Sequence, residues 1–270
     1  MISVARDVDA VLADAAARTG TPLADPTGSL SFGIDLGTAT VVIVAVDSLG
    51  APVYVNAARR EVVRDGIVVD FQGAVEAVRE LRDEAAAVLG VLPESAATAF
   101  PPGVSEADSR ACRFVLEQAG VECRGLIDEV SAAQTLLELQ DGVIADIGGG
   151  STGVGTYVAG ELVALDDLPG GGHHLNLILA GSLGVDIRTA EQLKREEGTV
   201  HLAALRPGIE RVAHNIGRLI PLGAEGPIHL VGGALMTPGA ARIVENYLDR
   251  PVVEHPHSML VTPLGIALSH

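Results

Sequence analysis

Two aspartates carry the chemistry of this chain, because each closes an apolar run and is followed at once by a Gly/Thr turn. The first lies in Gly33-Ile34-Asp35-Leu36-Gly37-Thr38-Ala39-Thr40, ahead of the apolar run Val41 to Val46. The second lies in Ala145-Asp146-Ile147-Gly148-Gly149-Gly150-Ser151-Thr152, ahead of a returning segment from Gly153 to Ala159. A tight glycine-rich hairpin exposes backbone N–H groups that the strand ladder does not use, and these form an anion site. Thr38, Thr40, Ser151 and Thr152 add hydroxyls at the same places. A carboxylate at each strand end suits magnesium held through water, since that ion keeps several of its waters. One Asp-Gly hairpin is ordinary turn chemistry, whereas two facing each other predict a magnesium nucleotide gripped from both sides.

Other segments carry alternatives. Leu126-Ile127-Asp128-Glu129-Val130-Ser131 ends a strand and opens a helix. Either Asp128 or Ser131 caps that helix, or Glu129 is aimed to orient or deprotonate an attacking water. In His229-Leu230-Val231-Gly232-Gly233-Ala234-Leu235-Met236-Thr237-Pro238 a strand runs through a glycine pair into a helix, so a flat ring or a phosphate can lie on bare backbone. Glu191 and Lys194, one helical turn apart, form a surface ion pair or flank a ribose and adenine. His173 and His174 read as packing or helix-end hydrogen bonding, and two adjacent histidines without a third ligand do not make a zinc site. His255-Pro256-His257 reads as a surface loop.

The elements that must position these residues follow from periodicity. A helix is expected over 1–20, with Val4, Val8, Val11 and Leu12 on one face and a stop at Gly20, followed by a linker from Thr21 to Ser29. It reads as docked on the body or as a partner-recruiting tag. Strands at Phe32–Asp35, Val41–Asp47 and Pro52–Asn56 precede a helix at Gly73–Leu89. A strand at Ala96–Phe100, a helix at Glu106–Ala119, a strand at Val121–Ile127 and a helix at Ser131–Leu139 complete a first unit. The second unit repeats the plan: a hairpin over Val143–Val158, a strand at Glu161–Leu165, and helices near His174–Ala180, Arg188–Glu197 and Ile209–Leu219. Strands at Ile228–Val231 and Val252–Glu254 flank a helix at Pro238–Leu248, and a last helix follows Pro263. Two units that begin with the same hairpin point to an internal duplication.

Composition bounds the function. The 270 residues are 48% apolar, enough for a sizeable core, without a stretch able to span a membrane or an N-terminal secretory pattern. A formal net charge of −17 and the absence of Trp argue against nucleic acid as a partner. Cys112 and Cys123 match neither a zinc spacing nor a disulfide framework and read as reduced, buried thiols of a cytoplasmic protein.

The order of the two hairpins, the Asp128-Glu129 junction, the Ala190-Glu191-Gln192-Leu193-Lys194 helix and the Gly232-Gly233 loop resembles the actin/Hsp70/FtsA-type ATPase superfamily. Thr262-Pro263-Leu264-Gly265-Ile266-Ala267 resembles its second connecting helix. Val63-Arg64-Asp65-Gly66-Ile67-Val68-Val69-Asp70-Phe71, Ser95 to Gly103, Gly171-Gly172-His173-His174-Leu175 and His257-Ser258-Met259 are more specifically similar to the ethanolamine-utilisation EutJ family, described as Hsp70-like chaperone-type proteins encoded with bacterial microcompartments. The resemblance implies an α/β actin-like ATPase fold: two duplicated, ribonuclease H-like lobes around a nucleotide cleft, with reduced outer subdomains. The expected division is a helix and linker over 1–31, a first lobe over 32–141 and a second over 142–270, the final helix packing back toward the first.

The same resemblance implies ATP or ADP with magnesium as cofactors. Asp35 and Asp146 would hold magnesium through water. Gly37, Thr38, Ala39, Gly148, Gly149, Gly150, Ser151 and Thr152, with Gly171 and Gly172, would surround the phosphates. Glu191, Lys194, Gly232, Gly233, Ala234 and Met236 would take the nucleoside, and Glu129 with the two aspartates would serve catalysis of a weak magnesium-dependent ATPase. An ethanolamine-pathway enzyme or a microcompartment shell protein is the implied partner, engaged through nucleotide-dependent lobe closure. The chain departs from the superfamily in Val130, where proline is common, and in His173, His174 and Asn176, where acidic residues are frequent. Those departures also fit a scaffold that binds nucleotide without hydrolysing it. A phosphotransferase or exopolyphosphatase-like enzyme is a further alternative, but a polyanion channel would have to be basic.

Overall fold

The computed structural model describes residues 7–64 and 67–269. The expected positions Val4, Asp65 and Gly66 lie outside them. The chain divides into two compact units, one of Met1–Glu138 with Met259–His270 and one of Leu139–Ser258.

The first unit opens with α1 (Val8–Ala17), capped by the Asp7 carboxylate on the Ala10 N–H, with Leu12 and Ala15 buried. Strands β1 (Ser31–Leu36), β2 (Thr40–Val46) and β3 (Pro52–Arg59) form an antiparallel meander. A two-stranded ribbon, β4 (Val63–Arg64) with β5 (Ile67–Val68), leads to α2 (Phe71–Leu89). Then come β6 (Ser95–Phe100), α3 (Glu106–Gln118), β7 (Glu122–Asp128) and α4 (Glu129–Leu137). The sheet order is β3-β2-β1-β6-β7, with β6 parallel to β1 and β7 parallel to β6. Tight turns suffice for the antiparallel pairs, while parallel neighbours need crossovers, which α2 and α3 supply. Val41 to Val46 are all buried, which is why β2 reads as an unbroken apolar run and not as an alternation. Helix α2 is started by Asp70 accepting from the Gly73 N–H at 2.9 Å and stopped by Gly90 in the left-handed region.

The segment expected as a linker is pinned in place. Leu23 N–H donates to the Val53 carbonyl at 2.8 Å, and Gly20 N–H to Val55 at 2.9 Å. Asp47, only 5% exposed, accepts from the N–H groups of Thr27, Leu49 and Ala51 at 3.0, 2.9 and 3.0 Å. Desolvation opposes its charge, but the three donors together outweigh that and hold its carboxyl below the usual aspartate range. Because the folded pKa is depressed, the stabilisation is complete above pH 4 and is lost as pH falls through the folded value. Asp47→Ala is expected to cost about 3 kcal/mol at pH 7, given charge-assisted bonds to three backbone donors. The loss should shrink in urea melts as pH falls below about 4, and vanish below the depressed folded value, where the carboxylate is protonated in both states.

The second unit contains β8 (Gly142–Ile147), β9 (Ser151–Val158), β10 (Glu161–Pro169), α5 (Gly172–Leu183), α6 (Ile187–Glu197), α7 (Leu202–Leu219), β11 (Ile228–Val231), α8 (Ala240–Leu248) and β12 (Val252–Glu254). Its order, β10-β9-β8-β11-β12, repeats that of the first sheet strand for strand, as a duplication requires. Helix α7 starts seven residues before the expected Ile209, because it runs through Pro207-Gly208 with Leu205 buried in the core ahead of them. The last helix, α9 (Val261–Leu268), follows a short 3-10 turn and packs on α4 and β1 of the first unit.

Candidate functional site

In the first unit the chemistry collects at the carboxyl ends of β1, β6 and β7. Ile34 pairs with Thr98 and Phe100 with Asp128, so Asp35 and the Asp128-Glu129 junction share one end of the parallel part of the sheet, where ligands of open α/β sheets bind. Of the two readings of the junction, capping is met by Asp128, whose carboxylate accepts from Ser131 N–H at 2.8 Å. Glu129 is then the first residue of α4, half-buried and not needed as the cap. Burial, with the charges of Glu129 and Asp35 adding to it, pushes the Cys112 thiol up to about 12. Cys112 and Cys123 are buried free thiols, as their spacing predicts. Gly37, Thr38 and Ala39 form the turn between β1 and β2.

In the second unit Asp146, 6% exposed, stands opposite Val231 on the adjacent parallel strand, and the glycine loop begins at the next residue. Gly232 has a φ of +82°, and a Cβ there would sit 2.6 Å from the Asp146 carboxylate and against the Ile147 carbonyl. Only glycine lets the β11 loop lie beside that aspartate. Ala234 N–H donates to the Ile147 carbonyl at 3.2 Å, fastening the nucleoside-type loop to the phosphate-type hairpin.

The Gly148–Thr152 turn is held from within and from α5. Gly148 N–H donates to the Ser151 carbonyl at 3.1 Å. The leading N–H groups of α5, from Gly172 and His173, donate to the carbonyls of Gly148 and Gly149 at 2.9 and 2.8 Å. The Thr152 hydroxyl donates to the Gly170 carbonyl at 2.6 Å, so it is engaged in holding the turn. His173 is exposed, and its backbone does the helix-end hydrogen bonding expected of the pair.

Lys194 turns toward this turn. Its ammonium donates to the Gly172 carbonyl at 3.1 Å, and burial lowers its pKa to about 8 despite Glu191 nearby. The ion pair that forms on α6 is Glu191 with Arg195, at 3.6 Å and four residues apart, because Lys194 points inward. Gly172 also lies beside Ala234. The structure therefore brings Asp146, the Gly148–Thr152 turn, Gly171, Gly172, Lys194, Gly232 and Ala234 into one neighbourhood of the second unit. Gly232 and Met236 additionally line a pocket of about 240 Å³ whose far wall is the segment Glu254 to Ser258.

Sequence reasoning missed Asp167 and misplaced His255. Asp167 on β10 is bonded to Ser151, and burial, with Asp166 and Asp146 adding to it, raises its carboxyl to about 6. The acidic pair just ahead of Gly170 was the available signal. His255 is buried and not on a surface loop: its Nε2 lies 3.0 Å from His229 Nδ1, and the rings are stacked. The parallel pairing of β11 with β12 puts the two imidazoles side by side, which spacing along the chain does not disclose. Burial, reinforced by His255, lowers His229 to about 4. Stability from the neutral His229 is thus present above pH 6.5 and is lost as pH falls toward 4. Melting temperature is expected to drop by several degrees between pH 7 and 4.5, and His229→Leu should flatten that part of the profile.

In each unit taken by itself, the hairpin carboxylate is of a kind that suits magnesium held through its own waters. Each hairpin offers one carboxylate, and among the described residues no cluster of three His, Cys, Asp or Glu side chains could cage a metal by itself. A single carboxylate matches an ion that brings its own waters and phosphate ligands. No helix among the described residues is long and apolar enough to cross a membrane.

The duplicated five-stranded sheets with an aspartate hairpin in each define a protein of the actin-like ATPase fold, and the MreB/Mbl protein family model matches residues 51–210. MreB5 of Spiroplasma citri bound to ADP superimposes with a TM-score of 0.67 at 17% identity, covering 87% of this chain and 94% of that one. Within that class the chain belongs to the EutJ family of ethanolamine utilization proteins. It is 40% identical to EutJ of Escherichia coli over 89% of this chain and 86% of the relative. The crystal structure of EutJ from Carboxydothermus hydrogenoformans matches with a TM-score of 0.87 at 38% identity, covering 92% of both chains.

Proposed function

We propose that this protein binds magnesium-ATP and acts in ethanolamine utilisation as a chaperone-type assembly factor of the cytoplasm. Its target is a pathway enzyme or a microcompartment shell protein, and nucleotide-dependent lobe closure shifts a two-state equilibrium that the target reads. The observation that carries the reading is the matched pair of hairpins, one in each copy of the duplicated sheet, each ending its first strand in an aspartate. Asp35 and Asp146 would hold magnesium through water, and the bound ion would supply charge neutralisation at the phosphates. Gly37, Thr38, Ala39 and the Gly148–Thr152 turn would face the phosphates. Lys194, Glu191, Gly232, Gly233, Ala234 and Met236 would take the nucleoside.

Two versions of this function differ in turnover. Glu129 at the start of α4 favours an ATPase in which it orients water. His173, His174 and Asn176 on α5, in place of the acids frequent in the superfamily, favour a gate that binds without hydrolysis. Single-turnover phosphate release from purified protein separates them: release above buffer assigns an ATPase, and retained ATP without release assigns a gate. Absence of magnesium-dependent ATP binding in calorimetry would sink both.

A further inference from the structure

The two copies of the duplicated sheet differ at one corresponding edge. In the first unit the outer strand β3 is covered by the chain's own residues 18–23. Val55 N–H donates to Arg18, Gly20 N–H donates to Val55, and Leu23 N–H donates to Val53, at 3.2, 2.9 and 2.8 Å. Thr19 and Val55 form a parallel bridge. The corresponding strand of the second unit is β10, which is paired on one side with β9 and is the last strand of its sheet. No described residue forms a ladder with its other side.

This edge strand is largely apolar, and its only charged side chains are acidic. Val158, Leu162, Val163 and Leu165 of the β9–β10 hairpin are 49, 40, 56 and 37% exposed, large values for branched aliphatic side chains on a strand. Glu161, Asp166 and Asp167 lie on the same strand, and residues 125–187 contain neither Lys nor Arg. We infer that the β10 edge is a docking site for an extended segment of another protein in which Lys or Arg alternates with apolar residues. Strand addition satisfies the open backbone groups, while alternate side chains select the sequence. The exposed carboxylates of Glu161 and Asp166 supply the complementary charge, and they disfavour a second copy, since antiparallel self-pairing would bring two like-charged strands together. The irregularity of register between Leu162 and Ala164 works in the same direction, because a bulge spoils the match of two identical edges. This inference does not depend on nucleotide binding.

The test uses the full chain and a synthetic peptide of alternating Val and Lys, with its Val–Glu counterpart as control. Amide exchange followed by mass spectrometry should show protection of residues 158–169 by the Val–Lys peptide and none by the control. Fluorescence anisotropy should show that Glu161→Lys with Val163→Lys weakens binding by about tenfold, and that binding weakens with salt. Both positions are solvent-exposed, so the variant should melt like the parent. Protection elsewhere, or affinity unchanged in the variant, would overturn the proposal. A dimer with β10 protected in the absence of peptide would overturn it in favour of a second copy.

Discussion

Gly265→Ala is expected to lower the stability of the first unit by about 3 kcal/mol. Helix α9 crosses α4 so closely at this point that a Cβ on Gly265 would run into the Ala132 carbonyl, with the Ala133 nitrogen only 3.2 Å away. The obstacle is backbone, so no rotamer change relieves it, and the helices must separate. Alanine's better helix propensity returns only about 1 kcal/mol, so the clash decides the sign. Melting temperature should fall by roughly 10 °C on the usual scaling for a unit of this size. Gly181→Ala on α5 is the control, because nothing lies within 4 Å of a Cβ built there. It should be neutral or stabilising by up to about 1 kcal/mol. Equal losses in both variants would refute the close-crossing argument.

Asp146→Asn is expected to raise the dissociation constant for magnesium-ATP about 100-fold, the worth of roughly one lost charge-assisted contact. The amide keeps the shape beside Gly232 and removes only the charge. Binding of ATP in excess chelator should therefore differ little between the two proteins, and calorimetry with and without magnesium reads the difference. If the variant retained the full effect of magnesium, the ion would have to be held elsewhere.

The fold was largely legible in the sequence, because its signals are local. The Val41–Val46 run reads as a strand and is buried throughout, and the helix starts expected near Gly73, Glu106 and Arg188 are capped in the structure by Asp70, Ser105 and Asp186. The duplication could be read from two copies of one hairpin. What stayed hidden depends on neighbours brought together by parallel pairing or by irregular backbone. His229 and His255 meet only through the β11–β12 register, and Asp167 reaches Ser151 only because β10 extends to Pro169, past the expected end at Leu165. Lys194 and Glu191 have a spacing suited to an ion pair, yet the inward turn of Lys194 is set by the bare carbonyl of Gly172. The segment after α1 carried every composition cue of a free linker. Its fixed path comes from Asp47, a single buried carboxylate twenty residues further on.

That path has a consequence for how the two halves of the duplication have diverged. Residues 18–23 have no counterpart in the second copy, so the first half carries its own permanent sixth ribbon while the second half does not. Proteolytic cleavage within Thr21–Ser29 with loss of the segment ahead of it would remove the ribbon together with the buried Leu12 and Ala15, and leave halves alike in sheet closure. The tendency of the cleaved chain to self-associate on concentration should rise above that of the intact protein. Residues 18–23 would then count as a built-in inhibitor of aggregation.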